Sequence, residues 1–185
     1  MTSMDAFLAH VLPTEGYYCA VILRQGMPVK QVFTSSLGKL VDTLLVNDAN
    51  GHTVYHACST FMDASSRTAQ NARFVRSLWL DVDAGEGKPY ADADEAAAAV
   101  VAFTRVTGLP DPVLVDSGYG LHCYWPLAAN VLSVRWRALA AGLRDLCGRH
   151  GLQADHQRTC DCASILRPPA TTNRKYGRAK AVTCR

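Results

Sequence analysis

No apolar run in this chain of 185 residues reaches the roughly 18 residues that a membrane-spanning helix needs. The N-terminus has no charged segment followed by a hydrophobic stretch, so secretion is not indicated and a cytosolic location is expected. Repeats, linkers and low-complexity segments are missing too. With 49% hydrophobic residues the chain is not disordered and suits one compact module. Paired C-x-x-C knuckles are absent, and the seven cysteines read as buried thiols rather than a disulfide framework. Zinc is therefore an unlikely cofactor, although Cys147, His150, His156, Cys160 and Cys162 offer the residue types it would need. Acidic residues are missing altogether from 162–185, where Arg167, Arg174, Lys175, Arg178, Lys180 and Arg185 all fall. Net charge is only +3, so this local excess says more than the total: it suits polyphosphate or a nucleic-acid backbone, as well as an ordinary solvated terminus.

What is present begins with Trp79-Leu80-Asp81-Val82-Asp83. On a strand, alternate side chains share a face, so Trp79, Asp81 and Asp83 point one way and Leu78, Leu80 and Val82 the other. One face is then buried and the other displays two carboxylates. Like charges held that close repel unless a cation lies between them or one is protonated, and hard divalent ions prefer oxygen ligands. The bland counterpart is a strand ending in a solvated acidic turn. An EF-hand does not fit, because Gly85 and Glu86 stand where that loop wants a ligand and then its glycine.

The surrounding pattern mixes hairpins and helices and predicts an α+β fold. Strands are expected at 17–23, 54–59, 112–116 and 121–125. Leu37, Leu40, Val41, Leu44 and Leu45 repeat at helical spacing before the turn at 48–51. Asp92-Ala-Asp-Glu95 opens an alanine-rich helix that Gly108 closes. Leu132, Trp136, Leu139, Leu143 and Leu146 mark an amphipathic helix that stops near Gly148 or Gly151. A strand is expected to start at 151–154, and Asp161 is read as the N-cap of a short helix over 163–166.

Two further segments carry chemistry. Ser117-Gly118-Tyr119-Gly120-Leu121-His122 can turn backbone N–H groups and a hydroxyl toward a phosphate; a satisfied structural histidine is the plainer alternative. Asp155 stands twelve residues before Arg167, and Pro168 biases Arg167 out of the helical region.

Taken in order, D-x-D, then S-G-x-G-x-H, then an Asp upstream of Arg-Pro, the chain resembles the catalytic core of the archaeo-eukaryotic primase superfamily, including primase-polymerases of phages and mobile elements. The resemblance spans about 77–175. It implies an RRM-like sheet with flanking helices over 71–176, a small N-terminal α/β lobe over 1–70 and a basic tail over 177–185. It also implies divalent metal, Mg²⁺ or Mn²⁺, on Asp81, Asp83 and Asp155, and nucleotide phosphates on Ser117, Gly118, His122, Arg167, Asn173 and Lys175. Arg73, Arg76 and Arg174 are candidate template or phosphate contacts, with helix-surface charge as the competing reading for Arg73 and Arg76. The implied partners are a DNA template and dNTP or NTP, with a helicase or C-terminal domain outside this chain. The implied activity is template-directed nucleotidyl transfer by two-metal catalysis, as primase or polymerase. A replication-initiator nuclease and a non-catalytic single-stranded-DNA-binding module are the alternatives. One departure stands out: related phage sequences tend to read Arg-Leu-Pro-Gly-Thr where this chain has Arg167-Pro168-Pro169-Ala170-Thr171, which predicts a stiffer loop.

Overall fold

The computed structural model describes residues 3–185. Helix α1 (Met4–Val11) leads into β1 (Tyr18–Leu23), β2 (Lys30–Thr34), α2 (Leu37–Ala49), β3 (Thr53–Ala57) and β4 (Ser59–Phe61). Then come β5 (Ala72–Asp83), α3 (Ala93–Thr107), β6 (Val113–Asp116), β7 (Gly120–Leu132) and α4 (Ser133–His150). The chain finishes with α5 (His156–Cys160), β8 (Ile165–Leu166), β9 (Thr171–Asn173), a 3-10 turn (Lys175–Gly177) and β10 (Lys180–Cys184). Among the described residues no helix is long and apolar enough to cross a membrane.

The fold is α+β, with two antiparallel sheets ordered β2-β1-β3-β8 and β4-β5-β7-β6-β10-β9. The β5-α3-β6-β7-α4 unit, with β7 between β5 and β6, is the RRM-like part. Its outer strand beside β5 is β4, from upstream, because the chain leaving α4 goes to the other sheet instead. The boundary at residue 70 is thus crossed both ways: β4 joins the larger sheet, and β8 pairs with β3 through His56↔Leu166. Nor are residues 177–185 a tail. Lys180–Cys184 form β10, between β6 and β9, where Val182 is buried and Arg185 pairs with Asp94 and Asp116. The basic side chains mask a short alternating strand.

The apolar pattern explains most elements. Asp92 accepts the N–H groups of Asp94 and Glu95 to start α3, and Gly108, at φ 72°, closes it. Helix α4 runs through Gly142 and Gly148 to Gly151 at φ 73°. Its core stripe is Trp136, Ala140, Leu143 and Cys147, whereas Leu139 is exposed and Leu132 precedes the helix. Residues 151–154 form no strand. All seven cysteines are free thiols, five of them buried.

Both faces of β5 are covered along most of its length. Leu80 and Val82 pack with Val100, Phe103 and Leu121, while Trp79 stacks on Trp136 at 4.5 Å. Beyond Trp79 the second face opens at Asp81 and Asp83, at the end of the strand.

In the departing loop, Ala170 has φ +63°, where glycine would sit without strain. A left-handed Ala costs about 1–2 kcal/mol, and glycine's extra chain entropy returns about 0.5–1. Ala170→Gly should therefore stabilise the protein by about 0.5–1 kcal/mol. Urea unfolding checks this, and equal or lower stability would contradict it.

Candidate active site

The hairpin of β5 and β7 sets the first contacts. Asp81 lies directly across from His122, and Asp83 from Gly120. At Gly120 a Cβ would collide with the Val82 carbonyl, and φ is +146°; only glycine lets the strands approach so closely. Gly118, at φ +86°, has Lys180 and Asn173 packed where a Cβ would point. The turn therefore needs its glycines to bring β7 against the acids, and it does not present a cradle of free donors. Ser117 N–H and Oγ both bond the Gly120 carbonyl, and Gly118 N–H donates to Asp116 Oδ1 at 2.8 Å.

Asp155 arrives by a backbone bond, its N–H donating to the Asp81 carbonyl at 2.8 Å. Its side chain caps α5, accepting from the N–H groups of Gln157 and Arg158. Asp161 is not an N-cap: it ends α5 and accepts from Ala163 N–H in a turn leading to β8. Both aspartates form the same first bond, to the N–H two residues on. The helix starts at Asp155 rather than at Asp161 because pairing with β3 draws the later segment into a strand.

Arg158, which sequence inspection missed, sits one turn along from Asp155. Its Nε is 3.1 Å from Asp81 and 3.4 Å from Asp155, while Asp83 pairs with Lys88 at 2.7 Å. Burial raises the Asp81 carboxyl to about 6; Arg158 opposes that, and Asp83 and Asp155 reinforce it. Burial drives His122 the other way, down to about 3, helped by the neighbouring positive charges of Arg167 and Arg158. The ring is therefore neutral, and its Nε2, 3.7 Å from Asp81, makes no ion pair.

Arg167 lies over the Tyr55 ring at 4.4 Å, only 8% exposed, and its Nη1 has no hydrogen-bond partner. Asn173 donates to the Ser117 carbonyl and accepts from Lys175 N–H, locking the two motifs together. Asp81, Asp83, Ser117, His122, Asp155, Arg167, Asn173 and Lys175 line one cavity of about 270 Å³ with Tyr55, Tyr119 and Arg158. Tyr55 and Tyr119 carry no local signal in the sequence.

Three candidates stand elsewhere. Arg174 clasps Asp48 and the His52 carbonyl, tying β9 to the end of α2. Arg76 donates to the Ala9 carbonyl. Arg73 covers Phe74, eight residues and roughly 26 Å along β5 from Asp81. Both lie on a strand, not a helix surface.

Among the described residues no three His, Cys, Asp or Glu side chains form a ready-made metal cage. Cys147 and Cys162 pack into separate cores, so the zinc candidates are not assembled. The oxygen-only set of Asp81, Asp83 and Asp155 fits a hard divalent ion in chemistry. Its present counter-charges, Arg158 and Lys88, are long side chains 43% and 36% exposed, able to move aside.

No protein-family model matches the chain, and no curated protein matches it in sequence. Solved structures do match in fold. The AEP domain of the cyanophage S-2L primase-polymerase is 20% identical with a TM-score of 0.60, covering 90% of this chain and 78% of that one. The catalytic domain of primase RepB' in complex with initiator DNA is 16% identical at TM-score 0.59, covering 91% and 76%. The polymerase domain of Mycobacterium tuberculosis ligase D in complex with DNA is 17% identical at 0.56, covering 98% and 78%. With its RRM-like sheet and the three motifs gathered at one cavity, the chain has the fold of the archaeo-eukaryotic primase-polymerase domains.

Proposed function

We propose that the chain is a template-directed nucleotidyltransferase, a DNA primase or polymerase acting in the replication of a phage or mobile element. The observation that carries this reading is one cavity in which Asp81, Asp83 and Asp155 meet Arg167 and Lys175. Acids that can hold divalent metal, placed beside cations that can hold a triphosphate, are what joining a 3′-hydroxyl to a nucleotide requires. A purely architectural role for each residue, taken singly, does not account for their meeting.

Asp81, Asp83 and Asp155 would hold Mg²⁺ or Mn²⁺, which supplies activation of the attacking oxygen and stabilisation of the leaving pyrophosphate. Arg167 and Lys175 place positive charge where negative charge grows on the triphosphate. His122, neutral and buried, offers hydrogen bonding without charge. Asn173 fixes the Ser117 turn and the start of the Lys175 turn, so its role is positioning. A DNA template is the expected partner, as two of the matching structures were solved with DNA.

The test is incubation with primed template, dNTPs and Mn²⁺, comparing the parent with Asp155→Asn and Asp161→Asn. Extension is expected from the parent and from Asp161→Asn, which keeps the turn acceptor. Asp155→Asn keeps the α5 cap, since asparagine caps as well as aspartate, so its stability should change by less than about 0.5 kcal/mol while extension is lost. Cleavage by the parent would favour a nuclease, and binding alone a non-catalytic module. Extension by Asp155→Asn would remove it from the metal-holding set.

A further inference from the structure

Behind His122, in the core rather than in the acid cavity, buried rings carry polar atoms that have no hydrogen-bond partner among the described residues. His56 on β3 is 0% exposed, and both of its ring nitrogens are unpartnered. Tyr124, two residues along β7 from His122, is buried as deeply, and its Oη is unpartnered. His122 itself presents Nε2 to Asp81 at 3.7 Å, while its buried Nδ1 bonds nothing. We propose that His56, Tyr124 and His122 Nδ1 together form a buried water site, through which His56 and Tyr124 act as positioning residues for His122. The proposal deepens the nucleotidyltransferase reading and rests on it only for the ligand that His122 meets.

Three observations converge. The first is proximity: the centroid of the Tyr124 ring is 6.3 Å from that of His56 and 6.5 Å from that of His122. Alternate residues of a strand share a face, so His122 and Tyr124 point the same way from β7. The second is chemistry. Burial lowers the His56 pKa to about 3 and holds the Tyr124 hydroxyl well above its usual value. Both are therefore uncharged at neutral pH, the imidazole with one donor and one acceptor and the phenol with both in one atom. A buried water takes two to four such partners, which these three rings supply. The third is the surroundings. Phe7 of α1 meets His56 edge-on at 6.1 Å and Tyr124 at 5.2 Å. Packing alone would favour an apolar residue at position 56, because polar atoms buried bare are unfavourable. A polar site here gains control of His122 instead. In an imidazole the bond made by one nitrogen sets which of the two carries the proton, so a water donating to Nδ1 keeps the proton on Nε2, the nitrogen that faces Asp81. The ring is then held as a donor toward the cavity it lines.

A crystal structure of the parent and calorimetric titration with dATP test this. The crystal should show a water bonded to Tyr124 Oη, His56 and His122 Nδ1. Tyr124→Phe and His56→Leu should each bind dATP about fivefold more weakly, the worth of one hydrogen bond. In primer extension the same variants should raise KM and leave kcat within about twofold. His56→Gln, whose amide still bonds a water, should bind dATP within about twofold of the parent. All three should melt within about 4 °C of the parent. In a His122→Ala background Tyr124→Phe should cost nothing further, since a positioning residue acts only through the residue it positions, whereas a general loss of packing would persist there. Water-free density among the three rings, undiminished dATP affinity in both Tyr124→Phe and His56→Leu, or an equal loss in the His122→Ala background overturns the proposal. The outcomes separate from the reaction: weaker dATP binding by Tyr124→Phe without primer extension by the parent leaves the water site and removes the chemistry, and extension without a Tyr124 effect does the reverse.

Discussion

Asp81→Asn is expected to abolish nucleotide incorporation and, in EDTA, to make the protein more stable at pH 8 by about 2 kcal/mol, with almost no gain at pH 4. The sign follows from the direction of the shift. An aspartate usually titrates at 3.8, and in the folded protein burial raises Asp81 to about 6. Folding then favours the protonated acid, so above pH 6 the carboxylate weighs against the native state. That penalty shrinks as pH falls through 6 and is gone below 3.8. The difference between the two values is worth about 3 kcal/mol, and the 18% exposure of the side chain reduces what is expected. The groups facing it are Arg158, Asp83, Asp155, His122 and Lys175; losing the Arg158 contact offsets part of the gain. Urea unfolding at the two pH values and a primer-extension assay measure both halves. Retained extension would remove Asp81 from the metal-holding set, and an equal change in stability at both pH values would show that charge burial is not its cause.

That carboxylate is legible in the chain because its signals are local. Alternation in Trp79-Leu80-Asp81-Val82-Asp83 fixes which side chains share a face, and Gly118 and Gly120 fix where β6 turns back into β7. Together these place His122 opposite Asp81. The α+β class and the limits of α3 follow from spacing and caps in the same way, whereas α2 runs on to Ala49, into the expected turn, and α4 begins only after Leu132. What cannot be read locally is pairing between distant segments. Nothing near residue 165 shows that Ile165 and Leu166 join β3, yet that pairing places Arg167 over Tyr55 and decides that α5 starts at Asp155, not after Asp161. Arg158 is visible as a basic residue three positions from Asp155, but its reach to Asp81 depends on the bond between the Asp155 N–H and the Asp81 carbonyl. Strand β10 is hidden for a different reason, since Lys180 and the neighbouring basic residues dominate composition while Val182 does the packing.

Arg167→Met should weaken dNTP binding about a hundredfold while leaving the ligand-free protein at least as stable as the parent. The guanidinium is 8% exposed, its Nη1 has no partner, and burial lowers its pKa against the opposing pull of Tyr55 and Asp81. A buried charged donor left unpaired is unfavourable in the free protein. Methionine keeps much of the side-chain volume over Tyr55 and removes that burden, so stability need not fall. A triphosphate oxygen at the same place would satisfy the donor through a charge-assisted bond, and removing one side of such a buried pair costs about 2–5 kcal/mol of binding. Arg167→Lys should rescue little, because an ammonium cannot both stack on Tyr55 as a plane and present a fork of donors. His122→Ala should matter less, about tenfold, since a neutral ring contributes a single uncharged hydrogen bond. Calorimetric dNTP titration gives the affinities and urea unfolding the stabilities. If Arg167→Met binds dNTP as the parent does and loses stability instead, the guanidinium is a structural clamp on Tyr55 and not a hand held out to the nucleotide.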